Sequence, residues 1–212
     1  MFNNRNTILR LSKYKKALVR LKSLGFIKVF SENLSDAVGV DSSQVRKDFA
    51  LFDISGTKKG GYLIDNLIEK LNEVLGKGEV ENVIIVGAGN IGTALMKYKG
   101  FEKEGVKVVC AFDNNPSKIN KDSDIPVLPI EELTNYIKEN KIKTAIMAIP
   151  DLFAQQILDL MIEAGIKGLL NFVPIHLRVP DDFVISNVNL EMELDTVLYY
   201  VNAIENQKKE KK

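Results

Sequence analysis

Residues 83–95 read VIIVGAGNIGTAL, and no other stretch narrows the possible folds as far. An apolar run ends in Gly87-x-Gly89-x-x-Gly92, and a helix-like segment follows. A strand that runs through such a loop into a helix makes a phosphate-binding turn. The first glycine permits the turn, the second lets a pyrophosphate reach the backbone, and the third lets the helix pack close on the strand. The helix start adds free N–H groups and the positive end of its dipole. The expected dinucleotide contacts are Gly87, Ala88, Gly89, Asn90, Ile91 and Gly92.

A lone glycine motif is weak, so its surroundings decide. After a helix over 91–104, VKVVCAF, KTAIMAI and KGLLNFV read as strands, and EELTNYIKENK and LFAQQILDLMIEAG read as helices. Strands alternating with helices imply an α/β domain with a Rossmann-type parallel sheet covered on both faces. Asp113 ends the second strand 21 residues after Gly92, where an acid holds the adenosine ribose hydroxyls and favours NAD(H) over its 2′-phosphorylated form. The DNNP that it begins is also turn-like, so an ordinary strand-end role stays open. Lys118, five residues on, would suit a 2′-phosphate instead.

Such a fold usually opens its domain, yet here about eighty residues precede it. They hold 14 Lys/Arg against 9 Asp/Glu, while the rest of the chain holds 15 against 19. The first 31 residues carry 8 basic side chains and no acid. This split suggests an anionic partner at one end, although a solvated helix face would look similar. Residues 4–24 read as a helix with Ile8, Leu11, Leu18, Leu21 and Leu24 near one face. In SENLSDAVGVDSSQVRKDFALF, Ser31 caps a short helix that Gly39 stops. Asp41 or Ser42 caps a second helix carrying Val45, Phe49 and Phe52 inward. Two short helices about a glycine turn make a helix-turn-helix. Ser43, Gln44, Arg46 and Lys47 then face outward near the start of the second helix, with side chains suited to base edges and phosphates. In DISGTKKGGYLI, Ile54 and Tyr62 flank a glycine-rich tip, a hairpin wing that would set Lys58, Lys59 and Gly60 against DNA. The order of these parts predicts a winged-helix domain over 1–78, a dinucleotide-binding domain over 79–188, a helix over 189–206 and a disordered tail over 207–212.

Hydride transfer to an alcohol or hydroxy acid needs a positioned acid or base. The single histidine, His176, sits in VPIHLRVP, where packing is the commoner role, and no Ser-Tyr-Lys set appears. No catalytic residue is expected, so the pocket reads as one that binds a nicotinamide nucleotide without turning it over. The single Cys110 leaves no internal disulfide and no cysteine cluster for a metal. No apolar run approaches the roughly 20 residues of a membrane span. The N-terminus lacks the apolar core of a secretory signal, and a cytoplasmic location is expected.

The chain resembles the Rex family of redox-sensing repressors in SDAVGVDSSQVRKDF, KKGGY, VGAGNIGTAL, YKGF, AFDNNPSKI, AGIKGLLNF and ISNVNLEMEL. The resemblance implies a homodimer of two winged helices and two Rossmann cores, with a C-terminal helix swapped onto the partner. It implies repression through an A·T-rich inverted repeat of double-stranded DNA that NADH releases and NAD+ permits. A terminal stripe of Leu190, Leu194, Val197, Leu198 and Val201 fits such a swap, though packing on its own core is equally open. The same resemblance puts Tyr98 near the nicotinamide and the dimer interface. Two departures stand out. The segment before the core reads DISGTKKGGY where the family has GEFGxRGxGY, and Asn189 replaces an aspartate that would pair with the arginine matched by Arg10. An Asn–Arg bond lacks charge assistance, which implies a redox response that is weaker or wired differently.

Overall fold

The computed structural model describes residues 5–56 and 60–210. The chain divides into two compact units, residues 1–80 and 81–212.

The first unit begins with α1 (Arg5–Ser23), then β1 (Lys28–Val29), α2 (Ser31–Val38), α3 (Ser42–Ala50), β2 (Tyr62–Leu63) and α4 (Ile64–Val74). Leu11, Tyr14 and Leu18 of α1 bury against Leu34 of α2, Val45 and Phe49 of α3, and Ile64, Leu67 and Leu71 of α4. The Phe49 ring meets Tyr14 and Tyr62 edge-on, at centroid separations of 5.4 and 5.3 Å. Such contacts add to the area that each ring removes from water. Gly39, in the left-handed region, ends α2 and donates its N–H to the Ser35 carbonyl.

Ser31 is the first residue of α2 rather than its cap, and the Asn33 Oδ1 accepts the Phe30 N–H at 2.8 Å in its stead. The wing is also built differently. Ile54 enters no strand, and β2 pairs antiparallel with β1, from between the first two helices. Burial explains the choice, because Ile54 and Val29 both sink into the core of this unit.

The second unit runs β3 (Glu81–Val86), α5 (Asn90–Met96), α6 (Gly100–Lys103), β4 (Val106–Asp113), β5 (Val127–Pro129), α7 (Leu133–Glu139), β6 (Thr144–Met147), α8 (Ala154–Ala164), β7 (Gly168–Asn171), β8 (Val184–Asn187) and α9 (Leu190–Glu210). The sheet order is β5-β4-β3-β6-β7-β8. All of its ladders are parallel. Side chains alternate between two faces, as the strand period of two demands. Ile84, Val86 and Cys110 join a core closed by Leu133 and Ile137 of α7 and Leu158 and Met161 of α8. Val83, Ile85 and Val108 face the other way, against Leu95, Met96 and Phe101. Cys110 is fully buried, and burial pushes its thiol up to about 12.

The helix expected over 91–104 is broken, with Lys97–Lys99 between α5 and α6. The edge strands β5 and β8 have no counterpart in the sequence reading. α9 continues to Glu210, so residues 207–210 are helical rather than tail. Leu194, Val197, Leu198 and Val201 of α9 are 58, 57, 50 and 47 % exposed. Among the described residues no helix is long and apolar enough to cross a membrane, and no cluster of metal-ligating side chains occurs.

Candidate functional site

Strand order reverses between β3 and β6, the place where open α/β sheets leave a crevice beyond the carboxyl ends of their strands. A cleft of about 440 Å³ lies there, lined by Gly87, Gly89, Asp113, Lys118, Phe153 and Gln156 among others. Its floor is the glycine turn. Gly87 has φ of 100°, and a Cβ on it would collide with the Ala148 carbonyl oxygen of the neighbouring segment. A Cβ on Gly92 would collide with the Gly87 carbonyl oxygen, so the helix can sit on the turn only with glycine there. Gly89 differs. Its backbone has φ −74° and ψ −164°, open to any residue, and a Cβ would meet nothing within 4 Å. Packing does not ask for glycine at 89, and its bare backbone lines the crevice.

Asp113, only 7 % exposed at the end of β4, ties the turn to the strand. Its Oδ2 accepts the Ala88 N–H at 2.8 Å and its Oδ1 accepts the Asn115 N–H at 2.8 Å. Lys118 Nζ donates to Oδ2 at 3.3 Å. Burial opposes ionisation, but the Asn115 and Ala88 N–H groups and then Lys118 outweigh it, holding the carboxyl below the usual aspartate range. Two donors reach Oδ2 and one reaches Oδ1, which leaves Oδ1 the freer to accept a ribose hydroxyl. These features fit a nucleotide diphosphate: bare backbone at Gly89, the start of α5 beside it, and an anchored acceptor 25 residues beyond Ala88.

Tyr98 is not among the residues that line this cleft. It sits at the break between α5 and α6, 59 % exposed, with its ring edge-on to Phe101 at 5.1 Å. Gly100 makes room for it, since a Cβ there would strike the Tyr98 ring. Tyr98 lines a second hollow of about 520 Å³ with Thr93, Lys97 and Phe101. Ile91 is 40 % exposed, and Ala88 is buried behind the turn. The α8 side of the cleft, Phe153 and Gln156, escaped the sequence reading because no spacing rule ties that helix to the glycine loop.

On α3, Ser43, Arg46 and Lys47 are exposed and Val45 and Phe49 are buried. Arg46 Nη1 donates to Ser42 Oγ at 3.3 Å and lies 3.7 Å from Glu32. Gly60 is half-buried, whereas Lys58 and Lys59 lie outside the described residues. Gln44 is half-buried, and the reason is a residue that sequence periodicity missed. Asp48, four positions later, is 1 % exposed and accepts four hydrogen bonds. Arg10 Nε reaches Oδ2 and Arg10 Nη2 reaches Oδ1, each at 2.6 Å. Tyr14 Oη donates to Oδ2 at 2.9 Å, and Gln44 Nε2 to Oδ1 at 2.8 Å. Burial works against the charge, yet the bonds from Arg10, Gln44 and Tyr14 hold the Asp48 carboxyl below its ordinary value. The signal was available: Arg10, Tyr14 and Asp48 are polar groups on otherwise apolar stripes.

Arg10 therefore spends its planar fork within its own unit. Asn189 is likewise engaged locally, its Oδ1 accepting the Met192 N–H at 3.0 Å at the start of α9.

A family profile described as a CoA binding domain matches residues 79–175, and one described as "Putative DNA-binding protein N-terminus" matches residues 5–50. The redox-sensing transcriptional repressor Rex of Desulforamulus reducens is 42 % identical over 91 % of this chain and 92 % of its own length. The Rex of Carboxydothermus hydrogenoformans is 39 % identical, covering 92 % and 94 %. Among solved structures, that of RSP, a Rex-family repressor, in complex with β-NAD+ and operator DNA superposes with a TM-score of 0.91 at 37 % identity, covering 100 % of this chain and 98 % of that one. The complex of RSP with β-NADH gives a TM-score of 0.86 at 37 % identity, with 99 % of each chain covered.

Proposed function

The chain belongs to the Rex family of redox-sensing transcriptional repressors, and from that membership we propose that it represses transcription according to the NADH/NAD+ ratio, with NADH weakening its grip on operator DNA. The observation that carries the reading is the pairing, in one chain, of a glycine crevice left bare at Gly89 with a basic four-helix unit whose α3 exposes Ser43, Arg46 and Lys47. Gly87, Ala88, Gly89, Asn90, Ile91 and Gly92 would cradle the pyrophosphate of NAD(H), and Asp113 would accept from the adenosine ribose. Lys118 shields Asp113, and an incoming ribose hydroxyl would take a place on its oxygens. The nucleotide is bound and not turned over, in keeping with relatives named as repressors rather than enzymes.

The operator reading follows the same logic. Two copies of α3 in a homodimer would enter the major groove at the half-sites of an A·T-rich inverted repeat, with Ser43, Gln44, Arg46 and Lys47 at the bases and Lys58, Lys59 and Gly60 on the backbone beside them. The apolar stripe of α9 supplies a surface for the partner subunit, and Tyr98 lies on a hollow of its own where α5 and α6 part. The protein would act in the cytoplasm. Asn189 stands where the family carries an aspartate, and an amide cannot give an arginine the charge-assisted bond that a carboxylate gives, so the redox response here would be weaker or wired differently. On that reading Asn189→Asp alters the effect of NADH on DNA binding, and an unchanged effect would refute it.

Coupling between the sites is reciprocal: if NADH weakens operator binding about 100-fold, operator weakens NADH binding by the same factor, a difference of about 2.7 kcal/mol. The test is fluorescence anisotropy on a labelled inverted repeat at fixed salt, without nucleotide, with NAD+ and with NADH. Release by NADH alone is the expected result. Tight binding indifferent to both nucleotides would keep the DNA reader and discard the sensor.

A further inference from the structure

Gln44 is the one expected base-reading side chain of α3 whose amide is held in place from behind. Its Nε2 donates to Asp48 Oδ1 at 2.8 Å, one helical turn away. Asp48 is buried and ionised, and a carboxylate can only accept. Arg10 and Tyr14 take up its other lone pairs, with both Arg10 bonds at 2.6 Å and the Tyr14 bond at 2.9 Å. The orientation of a glutamine amide is usually set by weak preferences, since the oxygen and nitrogen ends exchange by a half-turn. Here a half-turn would press the Gln44 oxygen against a carboxylate oxygen, two acceptors with no proton between them. The nitrogen must face inward.

This leaves Gln44 with Oε1 and one N–H for a partner outside the helix. In the major groove guanine offers only the acceptors N7 and O6, and thymine offers the acceptor O4 and a methyl group. Cytosine offers a donor with no acceptor beside it. Adenine alone offers a donor, the N6 amine, next to an acceptor, N7, matching an amide that presents oxygen and one N–H.

We propose that Asp48 is a positioning residue that fixes the polarity of the Gln44 amide, and that Gln44 thereby selects adenine at one base pair of each half-site. The inference rests on the reading of α3 as the recognition helix. The same network explains why Arg10 lies under α3: its guanidinium balances the buried charge without touching the bases.

The experiment is selection of bound duplexes from a randomised library by the full chain, followed by sequencing, for wild type, Gln44→Met and Asp48→Asn. Gln44→Met removes the amide at a half-buried position and keeps its length. The expected wild-type profile contains one A·T pair per half-site preferred by roughly 5- to 150-fold, the range of a good bidentate contact. Gln44→Met flattens that pair and no other. Asp48→Asn can place an N–H where Oδ1 was, which lets the Gln44 amide turn. Its preference should move away from adenine at the same pair, a change that lost stability alone would not produce. Replacing that adenine with purine, which keeps N7 but lacks the N6 amine, should weaken binding by wild type more than binding by Gln44→Met.

An unchanged profile in Gln44→Met overturns the proposal. So does a wild type indifferent to purine, or a flattened pair that is G·C. If Asp48→Asn does not fold, Gln44→Met and the purine substitution still decide. A wild type that enriches no sequence at all would fail differently, by removing the DNA-reading function beneath the proposal.

Discussion

Gly89→Ala separates what the glycine loop does for the fold from what it does for a ligand. The backbone at 89, with φ −74° and ψ −164°, accepts alanine without strain, and the new methyl meets no atom within 4 Å. A Gly→Ala change at a compatible position stabilises by about 0.4–1 kcal/mol, through the unfolded chain. The unliganded protein should therefore melt at the same temperature or slightly higher. The methyl would stand where the pyrophosphate meets the backbone. Losing one or two hydrogen bonds to a charged group costs about 3 kcal/mol, which weakens NADH roughly 150-fold. At NADH 100-fold above its wild-type Kd, ligand stabilises the folded state by about 2.7 kcal/mol. For the variant at that concentration, the same relation leaves about 0.3 kcal/mol. At about 2–4 °C per kcal/mol, a Tm shift of roughly 5–10 °C should disappear. Differential scanning fluorimetry with and without NADH reads both quantities. A lower unliganded Tm would mean that Gly89 is needed by the fold, and a retained NADH shift would mean that the crevice is not the nucleotide site.

Three further outcomes follow from the same geometry. Gly92→Ala drives a Cβ into the Gly87 carbonyl, so it should lower the unliganded Tm by an amount corresponding to about 1–3 kcal/mol, the mirror image of Gly89→Ala in the same assay. Asp48 and Asp113 both titrate below the ordinary 3.8 when folded, so the stability they add is complete above that pH and is lost as pH falls through their folded values. Acid denaturation followed by circular dichroism should thus set in below about pH 4, and Asp113→Asn should make the decline shallower. Gly100→Ala pushes on the Tyr98 ring, the movable end of a side chain, so urea unfolding should change little while the effect of NADH on operator anisotropy shrinks.

Local chemistry made the sheet centre and the glycine crevice legible in the sequence. β3, β4, β6 and β7 are apolar runs with helices between them, and a turn built on Gly87 and Gly92 has few structural solutions. The edge strands were hidden, because β5 has three residues including Pro129, and β8, VISN, has no buried residue and no apolar run to mark it. The wing misled for a related reason: β2 is two residues long, and its partner β1 lies more than thirty positions upstream, beyond the reach of any hairpin rule. The break at Tyr98 looked like continuous helix because Lys97 and Lys99 are good helix formers, and only the Tyr98–Gly100 contact marks it. Asp48 holds a core-facing position beside Phe49 on α3, a signal that its type outweighed. A carboxylate is read as surface until Arg10 and Tyr14, 38 and 34 residues away, are seen to bury it.

The buried thiol of Cys110 bears on what kind of oxidation this protein can register. It is the one cysteine of the sequence, and its place in β4 pushes its pKa up to about 12, so almost none of it is thiolate near neutral pH. The thiolate is the species that attacks a peroxide or an exchanging disulfide, so neither finds a foothold there. A regulator of the proposed kind would hear oxidative stress only secondhand, through the ratio of a diffusible carrier. It would also need no reductase to reset it afterwards.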